Sequence, residues 1–448
     1  MAYKPMKIAY LTPGAGGMLC GSCLSDNTLV ATLQQLGHEA YLIPLYTPIT
    51  TDEPGVSTGK IFYGGVNVYL QQKIPLFRKL PRFLDRWLDR SQLVSMLTHM
   101  PSRGDVEKLG ALTLSMVRGE KGNQRKEVKR LVDWLAKEVK PDVINLSNLL
   151  TAGFVPALKR KLDAPIVVTL QGDDLFIDAL SPEYRRRVLT EMQILATKVD
   201  QYIVHSDFYA KKMAEYFQVP SNLFQKVPLG INAESFSLPM DAKSKENVPT
   251  IGFLARICPA KGLHLLVGAF LKLKEMSAFK DVRLHVAGSL SSKDRPYFLE
   301  QQQRIRAAGW LSDFHYAGML DHTQKVAFLH SLDLFSVPTT YQEPKGRFVL
   351  EALACGVPVL QPAHGAFPEL LGRLGGGRLF PPEDGDAFAA ELAALLTDDT
   401  TRERLGGQGP RGVDQHARVE HTAMATLAVY ENLRPCSKIL QIGQTAHK

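Results

Sequence analysis

Short apolar runs alternate with amphipathic stretches along most of the chain. Residues 8–11 and Thr250–Leu254 are largely apolar, as strands are when both faces of their sheet are covered. Between such runs lie stretches with the apolar spacing of a helix, for example residues 263–274. Strands that alternate with helices in this way predict parallel sheets with helices on both faces, so the chain is predicted to be of the α/β class.

The predicted elements fall into two sets. In the first half the pattern predicts strands at 8–11, 40–45, 142–146, 165–170 and 201–204, and helices at 25–36 and 127–137. In the second half it predicts strands at 250–254, 282–287, 314–317, 334–337 and 358–361. The helices predicted there are 263–274, one ending at His330, 348–355, 386–397 and a long terminal helix at 413–433.

A polar stretch at 232–248 interrupts the alternation and predicts a linker between two domains. A chain of 448 residues also exceeds the roughly 250–300 residues at which single domains stop growing. We expect two doubly wound, Rossmann-like domains, residues 1–237 and 249–410, that face a cleft. The helix within 411–434 is expected to cross back to the first domain, and 435–448 is predicted to be a tail. In such sheets ligands bind beyond the carboxyl ends of the strands.

Composition narrows the class of protein. With 45% hydrophobic and 22% charged residues, the chain resembles a soluble globular enzyme. No apolar run approaches the ~20 residues that span a bilayer, and the N-terminus lacks a signal-peptide pattern, which predicts a cytoplasmic protein. The net charge of +8 suits an anionic ligand or a membrane surface. It is spread too evenly to indicate a nucleic-acid partner.

The strongest candidate chemistry lies around two glutamates. Glu343 precedes a predicted helix start near Arg347, in a turn that contains Pro344 and Gly346, and Glu351 follows within the helix. Free backbone N–H groups at a helix start attract phosphate. One carboxylate could therefore reach a sugar and the other a ribose on opposite sides of a diphosphate. Taken alone, two acids on a solvated helix would be the ordinary interpretation.

Two cations follow the first strand of the second half. Arg256 and Lys261 flank the turn that opens the helix at 263–274. Positive groups placed there can neutralise the charge that a departing nucleoside diphosphate develops. Alone they would be ordinary surface cations, and it is the pair of glutamates that favours a functional interpretation.

Together these segments resemble the family 4 glycosyltransferases, which have the GT-B fold. The resemblance rests on the Glu-x7-Glu spacing of Glu343 and Glu351, with Gly346 between them, and on the Arg-x-x-Pro-x-Lys-Gly pattern that contains Arg256 and Lys261. The stretch 227–236 also resembles the segment that closes the first domain in that family.

The resemblance implies roles for these positions. Glu343 would contact the donor sugar, Glu351 the ribose hydroxyls, and Arg256 and Lys261 the diphosphate. It also implies transfer with retention of anomeric configuration, no metal, and no cofactor besides the nucleotide diphosphate sugar as substrate. Further residues are predicted to bind the donor: Gly16 and Gly17 of a glycine-rich loop, Gly346, Phe348 and Val349 of the helix start, Gly288 and Leu320.

Two positions depart from the family pattern. Gln171 stands where relatives place a histidine, and an amide cannot shuttle a proton at neutral pH. Asp173 and Asp174, just after it, could orient the acceptor or cap a helix. Lys345 stands where an aromatic residue is common, which indicates either an anionic donor or acceptor or a side chain that points to solvent.

Other segments leave alternatives open. Cys20 and Cys23 form a Cys-x-x-Cys pair that suits a redox or metal role, or simple packing. The segment that begins at Phe77 and ends at Arg90 alternates basic and aromatic residues. It suits either peripheral contact with the inner face of a membrane or an ordinary surface helix.

The sequence therefore predicts a retaining hexosyltransferase whose acceptor is a sugar, a glycolipid or a small molecule. One alternative is a nucleotide-sugar-binding protein of the same fold with weak turnover. Another is an enzyme similar to bacterial glycogen and starch synthases, because 63–70 resembles one of their strands. The lysine that those synthases carry before their Gly-Gly loop is missing here, since the matching residues are Thr12, Pro13 and Gly14.

Overall fold

Two parallel sheets of six strands each form the molecule. The computed structural model describes residues 5–14, 20–59, 61–62, 105–236 and 248–434. The first sheet contains β1 (Lys7–Thr12), β2 (Glu39–Pro44), β3 (Val143–Leu146), β4 (Ile166–Thr169), β5 (Gln201–Val204) and β6 (Phe224–Lys226). Their spatial order is β2-β1-β3-β4-β5-β6, and each pair is parallel.

The second sheet repeats this plan. It contains β7 (Thr250–Leu254), β8 (Arg283–Ala287), β9 (Phe314–Tyr316), β10 (Leu334–Phe335), β11 (Val359–Pro362) and β12 (Gly377–Phe380). The order is β12-β11-β10-β7-β8-β9, again parallel throughout. The prediction of two Rossmann-like sheets is confirmed, and β5 and β7 have the predicted bounds.

Helices cover the two sheets. Those in the first half of the chain are α1 (Gly21–Gln35), α2 (Asp105–Val117), α3 (Arg125–Trp134), α4 (Val155–Lys159), α5 (Asp173–Asp178), α6 (Pro182–Ala196) and α7 (Asp207–Phe217). Those in the second half are α8 (Leu263–Glu275), α9 (Arg295–Ala307), α10 (His322–His330), α11 (Arg347–Ala354), α12 (Phe367–Leu374), α13 (Gly385–Thr397), α14 (Asp399–His416) and α15 (Val419–Leu433). Among the described residues, none of these helices combines the length and the apolar character needed to cross a membrane.

The long terminal helix predicted at 413–433 is wrong, because the chain breaks between α14 and α15. Ile231 donates from its backbone N to the oxygen of Ala417 at 3.0 Å and accepts from the N of Val419 at 2.9 Å. This pairing holds the intervening Arg418 in an extended conformation, with φ −74° and ψ 148°. The apolar spacing continues through the break, but pairing with a distant segment overrides it. Helix α1 also begins a full turn earlier than predicted, at Gly21 rather than near residue 25.

Helix α15 packs against the first sheet. Leu427 and Tyr430 are fully buried in one cluster with Ile8 and Tyr10 of β1. The Tyr430 hydroxyl also donates to Oδ1 of Asn145 in β3 at 3.1 Å.

The segment 229–236, which includes the start of the predicted linker, packs against the second sheet instead. Leu229, Ile231 and Phe236 lie in the core of the second sheet, although they precede the boundary predicted at residue 237. The rest of the predicted linker, residues 237–247, lies outside the described residues, as do the tail at 435–448 and the segment from Phe77 to Arg90.

Candidate active site

Two loops at the carboxyl ends of β7 and β10 lie against each other. Gly262 has a φ of +76°, and a Cβ there would lie 1.7 Å from the carbonyl oxygen of Pro338. The backbone N of Thr340 donates to the oxygen of Ala260 at 3.0 Å. This close approach requires glycine at 262 and places Lys261 beside the turn that carries Glu343.

Lys261, Tyr341 and Glu343 form a compact polar group, which we call the Lys261–Glu343 group. The Lys261 Nζ lies 2.8 Å from Oε2 of Glu343 and 2.5 Å from the Tyr341 hydroxyl. The same hydroxyl donates to Glu343 Oε2 at 2.6 Å. The Lys261 Nζ also lies 5.0 Å from the centre of the Phe348 ring, within cation–π distance. Glu343 is only 5% exposed, so these contacts rather than water solvate its carboxylate.

The electrostatics of the group favour an ionised Glu343. Burial raises the pKa of Glu343, but the Lys261 charge and the hydrogen bonds from Lys261 and Tyr341 outweigh it, so the pKa is lowered. Burial and the charge of Glu343 raise the pKa of Tyr341, so its hydroxyl stays a donor. The charge of Arg256 opposes that increase in the pKa of Tyr341. Arg256 itself is exposed.

The start of α11 adjoins the same group. Gly346 is the N-cap of the helix, with a φ of +72°, and its N lies 3.4 Å from Oε1 of Glu343. The first N–H groups of a helix have no partner within the helix, and the helix dipole makes this end positive. The Glu343 backbone is held in place because its oxygen accepts from Ala366 N at 2.8 Å. Lys261 and the start of α11 thus adjoin a place suited to an anion such as a diphosphate.

Glu351 lies in a different set of contacts. Its Oε1 is 3.0 Å from Nε of Arg347 and 3.4 Å from Nζ of Lys325. Lys325 is 2.7 Å from Oδ2 of Asp52, and Arg347 is 3.3 Å from Oε1 of Glu53. We call these five residues the ionic cluster.

The ionic cluster joins the two halves of the molecule. Asp52 and Glu53 follow β2 of the first sheet, whereas Lys325, Arg347 and Glu351 belong to α10 and α11 of the second half. All five side chains are 11% exposed or less. Burial raises the pKa of Asp52, but Lys325 outweighs it and the pKa is lowered. The cluster is therefore a buried charge network between the halves.

The two departures from the family pattern, Gln171 and Lys345, are in contact. The Lys345 Nζ donates to Oε1 of Gln171 at 2.6 Å, and the Gln171 Nε2 donates to Oδ1 of Asp26 at 2.9 Å. Since an ammonium only donates and a carboxylate only accepts, these partners fix the orientation of the amide. Lys345 is 8% exposed and does not point to solvent.

Asp26 anchors this link in the first half. It accepts hydrogen bonds from the hydroxyls of Tyr10 and Thr12, each at 2.9 Å, and of Ser147 at 2.6 Å. Burial raises the pKa of Asp26. Asp26 was not predicted as a site residue. Its position three residues after Cys23 repeats the spacing of the cysteine pair along one face of α1, which was the available signal.

Asp173 and Asp174 hold the loop after β4. Gly172, with a φ of 121°, is the N-cap of α5, so neither aspartate caps that helix. Asp173 Oδ1 accepts from the backbone N of Leu149 at 2.7 Å, and burial raises its pKa to about 7. Asp174 accepts from the Tyr209 hydroxyl at 2.7 Å and pairs with Lys212 at 2.7 Å. Both carboxylates are thus occupied by neighbours that support the loop containing Gln171.

The remaining predicted residues are spread around the second half. Gly288 has a φ of +134°, and a Cβ there would lie 1.8 Å from the Ala255 oxygen, so it fixes the loop before Arg256. Leu320 and Phe348 are partly buried against the second core, and Val349 lies fully within it. Gly16 and Gly17 lie outside the described residues. No group of His, Cys, Asp and Glu arranged to hold a metal ion occurs in the described part of the chain.

Two known families match successive parts of the chain. Residues 101–235 match the family described as glycosyltransferase family 4, and residues 238–411 match that described as glycosyl transferases group 1.

Several characterised proteins are similar over part of their length. A phosphatidyl-myo-inositol mannosyltransferase from Mycobacterium leprae is 30% identical over 222 residues, 49% of this chain and 56% of that protein. An MMP alpha-(1->4)-mannosyltransferase from Mycolicibacterium hassiacum is 26% identical over 65% of this chain and 70% of its own. A glycogen synthase from Mycobacterium tuberculosis is 25% identical over 65% of this chain and 69% of its own. The chain spans about half the length of the first two matched relatives, both phosphatidyl-myo-inositol mannosyltransferases.

Solved structures share the fold over nearly the whole chain. A sucrose-phosphate synthase from Thermosynechococcus elongatus has a TM-score of 0.70 at 18% identity, covering 95% of this chain and 99% of that one. HepE from Anabaena in complex with UDP has a TM-score of 0.68 at 18% identity, covering 96% of this chain and 100% of that one. At this identity the likeness shows the fold alone.

Proposed function

We propose that this chain, which belongs to the family 4 glycosyltransferases, transfers a sugar from a nucleotide diphosphate sugar to an acceptor. The observation that carries the proposal is the Lys261–Glu343 group at the start of α11. A buried carboxylate, a lysine and the positive end of a helix meet there within hydrogen-bond distance. A sugar joined to a diphosphate can use all three.

Each part of the group has a role in this proposal. Lys261 and Arg256 bind the diphosphate and take up the negative charge that grows on it as the sugar leaves. The first N–H groups of α11 contact the same phosphates. Glu343, kept ionised by Lys261, accepts hydrogen bonds from sugar hydroxyls near the reacting carbon. Because two cations and a helix start neutralise the diphosphate, we infer that no divalent metal is required.

Glu351 would hold the ribose through its second carboxylate oxygen. Arg347 and Lys325 both contact Oε1, which leaves Oε2 out of these contacts. A carboxylate oxygen accepts hydrogen bonds from hydroxyl groups readily. The ionic cluster would then fix Glu351 in one orientation for the nucleoside.

We infer that transfer retains the anomeric configuration. A bond forms between the acceptor oxygen and the anomeric carbon on the face that the phosphate oxygen leaves. The proton of the acceptor hydroxyl moves to the departing diphosphate. This route suits a site in which Gln171 replaces a histidine, because no side chain at that position then needs to accept a proton.

The sugar is inferred to be a hexose and the acceptor a sugar, a glycolipid or a small molecule. Support comes from the matched relatives, whose names describe transfer of mannosyl groups or synthesis of glycogen.

A panel of UDP-, GDP- and ADP-hexoses with mixed acceptors tests the proposal through release of the nucleoside diphosphate. We expect release with one base, undiminished by a metal chelator, and an unfolding temperature raised by the same nucleoside diphosphate, since a ligand stabilises the state that binds it. Nuclear magnetic resonance of the product gives its anomeric configuration. No stabilisation by any nucleoside diphosphate and no release from any donor would contradict the proposal.

A second candidate function is binding of a nucleotide sugar without turnover. The observation in its favour is that Gln171 is held at both ends of its amide, by Lys345 and by Asp26, which leaves it no proton-transfer role. The same panel separates the two functions. Stabilisation by a nucleotide sugar without release of its nucleotide, across diverse acceptors, would favour binding alone.

A further inference from the structure

The first turn of α1 carries two thiols. Cys20 is the N-cap residue and is partly exposed, whereas Cys23, in the first turn, is 1% exposed. The Cys20 oxygen accepts from the backbone N of Leu24 at 2.9 Å, so the turn is already helical. Side chains three residues apart on a helix lie on the same face. The two sulfurs therefore lie side by side, one facing outward and one covered.

A buried cation from the second half reaches the same turn. The Lys345 Nζ donates to Oγ of Ser22, the residue just before Cys23, at 3.1 Å. Its other partner, Gln171, is also neutral. Lys345 is more than nine-tenths buried and forms no ion pair with any carboxylate of the described residues. A buried ammonium is costly, and a Cys20 thiolate would add to the charges of Asp26 and Glu343 that favour it.

The two thiols differ in acidity. A hydrogen bond from Cys23 lowers the pKa of Cys20, burial opposes this, and the charge of Lys345 adds to the decrease. The same hydrogen bond, together with burial, raises the pKa of Cys23. Cys20 is thus suited to attack as a thiolate, whereas Cys23 stays protonated.

We propose that Cys20 and Cys23 form a reversible redox site that reacts with a small disulfide oxidant, with Cys20 as the attacking and Cys23 as the resolving thiol. The Cys20 thiolate attacks one sulfur of the oxidant, whose S–S bond breaks and releases one thiolate. Cys23 then loses its proton and attacks the Cys20 sulfur, which releases the second thiolate. The protein loses two electrons and the oxidant gains them as two thiols.

The proposal does not depend on the proposed sugar transfer, and its failure would leave that proposal intact. Formation of the disulfide removes the thiolate from Lys345. The oxidation state of the pair therefore acts on a contact between the two halves, because Lys345 belongs to the second half and Ser22 to the first.

The test uses the full chain, reduced and then equilibrated with mixtures of glutathione and glutathione disulfide. Peptide mass spectrometry should find Cys20 joined to Cys23. Cys258 and Cys355, buried elsewhere in the chain, should stay free and serve as internal controls. A Cys436→Ser variant should form the same disulfide. Two free cysteines at 20 and 23 under oxidising mixtures would overturn the proposal.

Single variants separate the two roles. Cys23→Ser should accumulate one glutathione on Cys20, whereas Cys20→Ser should carry none on Cys23. Absence of glutathione from Cys20 in the Cys23→Ser protein would overturn the assignment of Cys20 as the attacking thiol.

The Lys345→Met variant tests whether the charge of Lys345 supports a thiolate at Cys20. We expect alkylation of Cys20 by iodoacetamide at neutral pH to slow by at least roughly threefold, and its pH profile to move to higher pH, because the thiolate loses its counter-charge. Lys345→Arg should restore most of the rate. An unchanged pH profile in Lys345→Met would show that Lys345 does not support a thiolate and would overturn that part of the proposal.

Discussion

The two glutamates of one short motif have different surroundings. Glu343 is bonded to Lys261 and Tyr341, all from loops at the carboxyl ends of the second sheet. Glu351, two turns further on, is bonded to cations that also hold Asp52 and Glu53 of the first half. One sheet thus organises the Lys261–Glu343 group by itself, whereas the surroundings of Glu351 depend on how the two halves are placed.

The largest effect is expected from breaking the ionic cluster. Lys325→Met leaves Asp52 and Glu351 without a shared cation, and removing one partner of a buried ion pair costs about 3 kcal/mol or more. We expect that loss in the free energy of unfolding measured with urea. Lys272→Met is the matched control, since the Lys272–Asp386 pair is solvent-exposed and should change stability by about 0.5 kcal/mol or less. Equal effects of the two variants would show that the cluster is no more important than a surface pair.

The next largest effect is expected from variants of the Lys261–Glu343 group. Lys261→Ala and Glu343→Ala should each reduce turnover at least tenfold, equivalent to ~1.4 kcal/mol of transition-state stabilisation. Glu343→Gln keeps the shape and should show the same loss, because the charge and not the volume is required. Steady-state release of the nucleoside diphosphate measures all three. Turnover close to that of the wild type in both alanine variants would remove the proposed mechanism.

The Tyr341→Phe variant tests how much the tyrosine hydroxyl contributes within the Lys261–Glu343 group. It removes one neutral donor to Glu343 and leaves Lys261 in place. A single hydrogen bond is worth about 1 kcal/mol, so we expect turnover to fall roughly fivefold. The melting temperature should change little, because no buried charge loses its counter-ion. A loss as large as that of Glu343→Ala would mean that the hydroxyl takes part in the reaction directly.

The smallest expected effect is on the pH dependence of stability. The pKa values of Asp52 and Glu343 are lowered in the folded protein, from about 3.9 and 4.3 in unfolded chains. Each therefore adds stability above its unfolded pKa, and that stability is lost as the pH falls through the folded value. Asp52→Asn and Glu343→Gln should each flatten the fall in unfolding free energy below about pH 4. An unchanged slope in Asp52→Asn would indicate that the ionic cluster is open in solution.

How much the sequence could predict depended on burial. Strands β5 and β7 are apolar and buried, so their bounds were predicted correctly. Helices α6, α7 and α9 were among those missed, and each is rich in polar and charged residues. The continuous helix at 413–433 was wrong because the pairing of Ile231 with Ala417 and Val419 is invisible to local periodicity.

Some contacts of the candidate site could be predicted from the sequence and others could not. Lys261 and Glu343 lie in two loops that each follow a strand of the second sheet. The predicted order of strands and loops therefore indicated that the two residues could meet. Nothing in the sequence linked Lys325 to Asp52, because charged residues are ordinarily exposed and a buried pair has no local signature. Tyr341 lay two residues before Glu343 within the motif, and a polar side chain in that turn was the available signal.

The break at residues 417–419 has a mechanical consequence. The chain passes from the first half to the second near Leu229 and returns near Arg418, and a bridge between Ile231 and Arg418 fastens the two passages together. Because backbone hydrogen bonds join the two passages, a displacement of one connection between the halves must carry the other with it.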